Sequence, residues 1–203
     1  DLIRYTNLAQ REFVRRVRLF RDSTTASIVQ VSLTADTALA PYSARILKFH
    51  RATLASTGQK VVFKEFHEMD DAFVTCDYGI DTAVDWETQT GPPKIAVIDL
   101  EEGQLRMVPI QTADDTLNLT VDRLPLIDIT RLSDDLEVTD TEHQEVMLNY
   151  VGHLAYLKND ADIFDKQVSD KFLDEFDVGV ERFIKDRKGR RSRPGTVRYG
   201  GIR

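Results

Sequence analysis

The sequence predicts an α+β chain: a helical bundle of one N-terminal helix and a C-terminal helix hairpin, an inserted and mostly antiparallel β domain, and an extended C-terminal arm. Three observations carry this. Apolar residues recur at helical spacing near both ends of the chain. Between them lie short β-branched runs separated by polar turns. The last stretch, "GRRSRPGTVRYGGIR", holds glycine, proline and arginine but too few apolar groups to build a core. The expected boundaries are 1–26 and 135–186 for the helical domain, 27–134 for the β insertion and 187–203 for the arm.

The first segment, "LIRYTNLAQREFVRRVRLFRDS", places Tyr5, Leu8, Ala9, Phe13, Val17 and Phe20 on a helical stripe, with Arg4, Arg11, Arg15, Arg18 and Arg21 on the other sides. These arginines read as a solvated or subunit-facing face that pairs with some of the chain's many acids. Arg11, Arg15 and Arg18 are therefore candidate subunit-interface residues, and a nucleic-acid stripe is the competing reading. "DSTTAS" stops the helix, because short polar side chains compete for the backbone.

Five or six strands are expected next. "SIVQVSL", "ARILKFHRATL" and "QKVVFKEF" are strand-like, and "MDDAFV" reads as a helical turn or two. Ile95–Leu100 and Gln104–Val108 form two strands around a tight turn holding Gly103, and "DTLNLTVDRL" turns Leu117, Leu119 and Val121 inward. Trp86, in "VDWETQTGPP", anchors a loop onto the sheet or serves as an interface hot spot. A sheet of this kind has one core face and one free for water or a partner.

Helices return after "PLIDITRLSDDLEV". Thr139 with Glu142 fits a capping box, and Val146, Met147, Tyr150, Val151, Leu154 and Leu157 line one face. Asn159 reads as hinge and N-cap for a second helix striped by Phe164, Val168, Phe172, Phe176, Val180 and Phe183, which Gly179 weakens and bends. The short connection implies an antiparallel hairpin.

Charge is unevenly spread. The net charge is -7, yet from Arg182 onward nine Lys and Arg face Asp186 alone, so that segment carries +8 and residues 1–181 carry -15. Such asymmetry marks an interaction tail. Cys76 is the single cysteine, which excludes an internal disulfide or thiolate cluster and fits a reducing site of synthesis. No apolar run approaches the ~18 residues of a membrane span, and no signal-peptide pattern is expected at the start.

Catalysis finds no support. "FHEMDD" gathers His67, Glu68, Asp70 and Asp71, but a local cluster with no distant partner reads as a solvated helix start. His143 and His153 read as structural, and Asp114–Asp115 and Asp134–Asp135 as turn residues. No phosphate loop, H-E-x-x-H or nucleophile elbow is present. The expectation is a protein with no catalytic, cofactor or metal residues.

The order of "LAQREFVRRVRLFRDSTTASI", "ILKFHRATL", "TGPPKIAVID", "GQLRMVPI", "LTVDRLPL" and "HQEVMLNYVGHLAYLKNDADIFD" resembles the head-to-tail adaptor (connector or neck) proteins of short-tailed and related bacteriophages, over about residues 2–180. The resemblance implies a non-enzymatic virion protein of the neck, made in the host bacterial cytoplasm. It implies a ring, commonly of twelve copies, beneath the portal protein, which extends the DNA channel and offers a platform to a downstream tail protein. It also implies an arm that docks on the portal, which here would be Lys185, Arg187, Lys188, Arg190, Arg191, Arg193, Val197, Arg198, Tyr199, Ile202 and Arg203. An acidic body suits a lumen that lets genome DNA slide without specific binding, since Lys and Arg contacts to phosphate would hold it. The alternative is a nucleic-acid-binding module that uses the Arg-rich first helix and the basic tail.

Overall fold

The computed structural model describes residues 1–69, 85–131, 133–158 and 164–191. Helices are α1 (Leu2–Val17), α2 (Ala26–Val29), α3 (Phe66–Met69), α4 (Thr141–Tyr156) and α5 (Lys166–Arg191). Strands are β1 (Phe20–Asp22), β2 (Gln30–Leu33), β3 (Leu39–Pro41), β4 (Ile46–Leu54), β5 (Lys60–Lys64), β6 (Ile95–Val97), β7 (Gln104–Val108) and β8 (Asp115–Arg123). The chain is α+β and divides into two compact units, residues 1–17 with 125–203 and residues 18–124.

The first unit is helical. α1 buries Ala9, Phe13, Val14 and Val17 on one stripe, as its apolar spacing requires. α4 packs against both α1 and α5. The close pairs between α4 and α5 run in opposite directions: His153 with Ser169, the Val146 side chain with Gly179, and Glu142 with Arg182. Two of α1's polar residues fasten the 125–138 segment. Asn7 exchanges hydrogen bonds with the backbone of Ile129, both at 2.9 Å. Gln10, fully buried, donates to the Ile127 carbonyl and accepts from the Val138 amide. A buried amide must find such partners, because an unmade bond inside costs about 1–3 kcal/mol.

The second unit is a curled, mostly antiparallel sheet in the order β1-β8-β4-β5-β6-β7-β3, with β2 pairing β8 beside β1. Among the strand pairs of the described residues, only β5–β6 is parallel. Curling follows from connectivity. β2 and β3 lie at opposite ends of a path six strand spacings long, about 29 Å if flat at ~4.8 Å per step. Five residues, 34–38, join them, a reach of about 21 Å. β8 pairs with three strands, β1, β2 and β4, and its Leu117, Leu119 and Val121 are buried in alternation as predicted. Gly103 takes φ 76° in the turn before β7, a left-handed value that glycine adopts without strain.

Several sequence expectations are corrected. The first helix ends at Val17, not near Asp22, because Arg18 adopts a left-handed φ of 54° and Phe20–Asp22 turn into a strand paired with β8. Asp22 drives that exit: it lies buried and binds Arg123 Nε at 2.6 Å. "SIVQVSL" splits into α2 and β2. Eight strands are present among the described residues, since the three-residue β1 and β3 are too short to show periodicity. Asp140, not Thr139, caps α4, its carboxylate accepting from the amides of Glu142 and His143. α5 starts at Lys166, where Asp165 accepts from the Val168 amide at 3.1 Å, leaving Phe164 outside the helix and exposed. Asn159, the expected cap, lies outside the described residues, as does most of "MDDAFV". α5 is helical through Arg191, so residues 187–191 continue the helix and are not extended. Gly179 serves close approach: a Cβ there would stand 2.6 Å from a methyl of Val146.

Candidate interaction surfaces

Three of the four arginines of α1, Arg11, Arg15 and Arg16, are compensated by acids. Arg11 pairs with Asp128 and bonds both its carboxylate oxygens. Arg15 and Arg16 share Glu12 at 3.2 and 2.7 Å, and Arg16 also reaches Asp177 while lying over the Phe176 ring at 5.3 Å. Paired guanidinium groups release few counterions on meeting phosphate, which weakens the case for a nucleic-acid stripe on this helix. Arg18 is exposed at the left-handed residue that follows α1.

α5 changes sign along its length, from Asp170, Asp174, Glu175, Asp177 and Glu181 to Arg182, Lys185, Arg187 and Lys188. Its first turn holds no acid, while the bases near its end suit the helix dipole. Of the proposed arm residues, Lys185 pairs with Glu181 at 3.4 Å and Lys188 is exposed. Arg187 donates to the Val17 carbonyl at 2.6 Å and so closes the C-terminal end of α1. Arg190 and Arg191 form the end of α5, while Arg193, Val197, Arg198, Tyr199, Ile202 and Arg203 lie outside the described residues.

Trp86 belongs to the sheet unit, where it packs beside Met69, Ile95, Val97 and Val108. Phe66 meets its ring at 6.1 Å and the Arg106 guanidinium lies 5.6 Å from its centroid. Glu87 holds Arg106 in place at 3.3 Å. Trp86 therefore anchors its loop on the sheet.

The titratable candidates are engaged locally. His143 sits between Phe13 and Phe183, at 5.3 and 4.4 Å between ring centres. His153 Nδ1 lies 2.9 Å from the Ser169 hydroxyl, which is fully buried and donates to the His153 carbonyl at 3.0 Å. The Glu65 amide and the Lys64 ammonium bind Glu68 and hold its carboxyl below the usual range. Asp70 and Asp71 lie outside the described residues. Glu65, His67 and Asp99 bring ligand atoms within 4.8 Å of one another, all three exposed.

The buried charges belong to the sheet. Burial raises the Asp22 carboxyl, but bonds from Thr24, Thr25 and Arg123 outweigh it and hold the group well below the ordinary carboxylate range. Asp122, also buried, binds His50 at 2.8 Å and Arg21 at 3.3 Å. No helix among the described residues is long and apolar enough to cross a membrane.

The order of motifs along the sequence resembles the phage head-to-tail adaptor proteins, and the family comparison agrees. The family model described as SU10 adaptor protein matches residues 1–198, and the chain belongs to that family. None of the curated proteins matches it.

Proposed function

We propose that the chain is a structural virion protein, a head-to-tail adaptor that assembles as a ring of about twelve copies under the portal, by resemblance to phage neck proteins. In this reading the ring extends the DNA channel and presents a platform to the next tail protein. α1, α4 and α5 form its three-helix bundle, Arg11, Arg15, Arg18 and Trp86 contribute to contacts between copies, and the basic C-terminal segment reaches the portal. The observation that carries the proposal is the family match along residues 1–198. The charge distribution supports it: residues 1–181 carry -15, which repels passing duplex, while the end of the chain carries +8 and suits an acidic partner surface.

The test is co-sedimentation with the portal ring encoded in the same genome, comparing the full chain with one ending at Arg191. That truncation keeps α5 and the Arg187–Val17 bond, so a loss of binding reports on the tail alone. Pelleting of the full chain only supports both adaptor and arm. Pelleting of both chains keeps the adaptor and removes residues 192–203 from the docking. If neither pellets while the full chain shifts duplex DNA with a steep salt dependence, the adaptor reading fails and the nucleic-acid module replaces it.

A further inference from the structure

We infer that the helical unit holds the chain's own C-terminal tail, residues 192–203, against an apolar hollow between α1 and α4, with Tyr199 as the anchor. The hollow, about 140 Å³, is lined by Thr6, Leu136, Gln144, Met147, Leu148 and Val151. Met147 and Val151 are buried, whereas Leu148 is 65 % exposed. Leu2, one turn before Thr6 on α1, is exposed as well. A single leucine in water is ordinary, but leucines grouped at an apolar hollow form a surface that a partner covers. An apolar cavity of about 150 Å³ accepts benzene, so this one has room for a single aromatic ring.

Charge and reach select the occupant. Residues 134–145, which supply Leu136 and Gln144 to the lining, include Asp134, Asp135, Glu137, Asp140, Glu142 and Glu145 and no Lys or Arg. Asp134 and Asp140 accept from backbone amides, which leaves their charge in place. Glu145 is exposed and, three residues before Leu148, is its neighbour on the helix surface. The tail "SRPGTVRYGGIR" complements this ground, with Arg193, Arg198 and Arg203, no acid, and Tyr199 as its one aromatic residue. Its starting point is fixed. Phe13 meets Phe183 and Arg187 bonds the Val17 carbonyl, so α5 runs parallel to α1 and ends one turn past that bond, at Arg191. At 1.5 Å per helical residue, Arg191 stands about 23 Å along the axis from the level of Thr6, or about 25 Å with a sideways step of one helix diameter. The six residues to Val197 reach about 20–22 Å and fall short, while the eight to Tyr199 reach about 26–29 Å. The inference does not rest on the adaptor reading. It adds to it that any outside partner must first draw the tail from the hollow, so binding weakens by the fraction docked.

The test is methyl NMR of the full chain, 13C-labelled at its methionine, leucine and valine methyls, beside the chain ending at Arg191, which keeps α5 whole. No portal is needed. The expected result is a ring-current displacement of the Met147, Leu148 and Val151 methyls in the full chain relative to the shorter one. That displacement should be unchanged over a tenfold range of protein concentration, and Tyr199→Ala in the full chain should remove at least half of it. Tyr199→Ala leaves every helix intact, so it decides alone should the shorter chain precipitate. Identical methyl positions in the two chains, or indifference to Tyr199→Ala, overturn the inference. A displacement that grows with concentration also overturns it, and gives the hollow to the tail of a second copy.

Discussion

Gly179→Ala tests the packing of α4 against α5. Two opposing effects are involved. Alanine is about 1 kcal/mol more favourable than glycine inside a helix, so propensity alone predicts a gain. The new Cβ, however, would stand 2.6 and 2.7 Å from the two methyls of Val146 and 3.3 Å from its Cβ. Ordinary carbon contacts lie at about 3.5–4.0 Å. Valine in a helix keeps essentially one rotamer, and with both methyls this close a rotation only exchanges one clash for the other. The helices must move apart, an overpacking cost of about 1–3 kcal/mol. The expected outcome is a net loss of about 1 kcal/mol in urea unfolding followed by helical circular dichroism. Val146→Ala removes both methyls, and in that background Gly179→Ala should turn stabilising by up to about 1 kcal/mol, a coupling of about 2 kcal/mol. Equal gains from Gly179→Ala in both backgrounds would refute the close approach.

Three further outcomes follow from the same geometry. Arg18→Gly should raise stability by up to about 1 kcal/mol, because the left-handed backbone after α1 strains any side chain, and a shift in urea midpoint reads it. Asp22→Asn should cost about 3 kcal/mol by replacing the carboxylate that faces buried Arg123 with a neutral amide, read by Trp86 fluorescence. The folded carboxyl of Asp22 titrates below its unfolded value of about 3.9, so its contribution is complete above that pH and fades as pH falls below it; the variant should lose part of the parent's acid sensitivity. Asp140→Ala should lower stability by about 1 kcal/mol through loss of two amide bonds at the start of α4, whereas Thr139→Ala should be nearly silent.

What the sequence determines by itself is whatever rests on periodicity and charge. The stripe of α1, the alternation of Leu117, Leu119 and Val121, and the Gly103 turn each follow from local spacing, and the ordered motifs reach the family before any coordinates. The sign change along α5 is equally plain in the chain. Tertiary structure decides where local preference competes with a distant partner. The first helix stops at Val17 because Asp22 must meet Arg123, a hundred residues onward, on a strand that only the folded sheet supplies. Asn7 and Gln10 look like surface amides in a helical pattern, yet they satisfy a returning segment's backbone. Gly179 reads as a weak point until Val146 stands against it. Spacing along a chain encodes which face is apolar; it does not encode which buried polar atom meets which, because those pairings form between residues brought together only by folding.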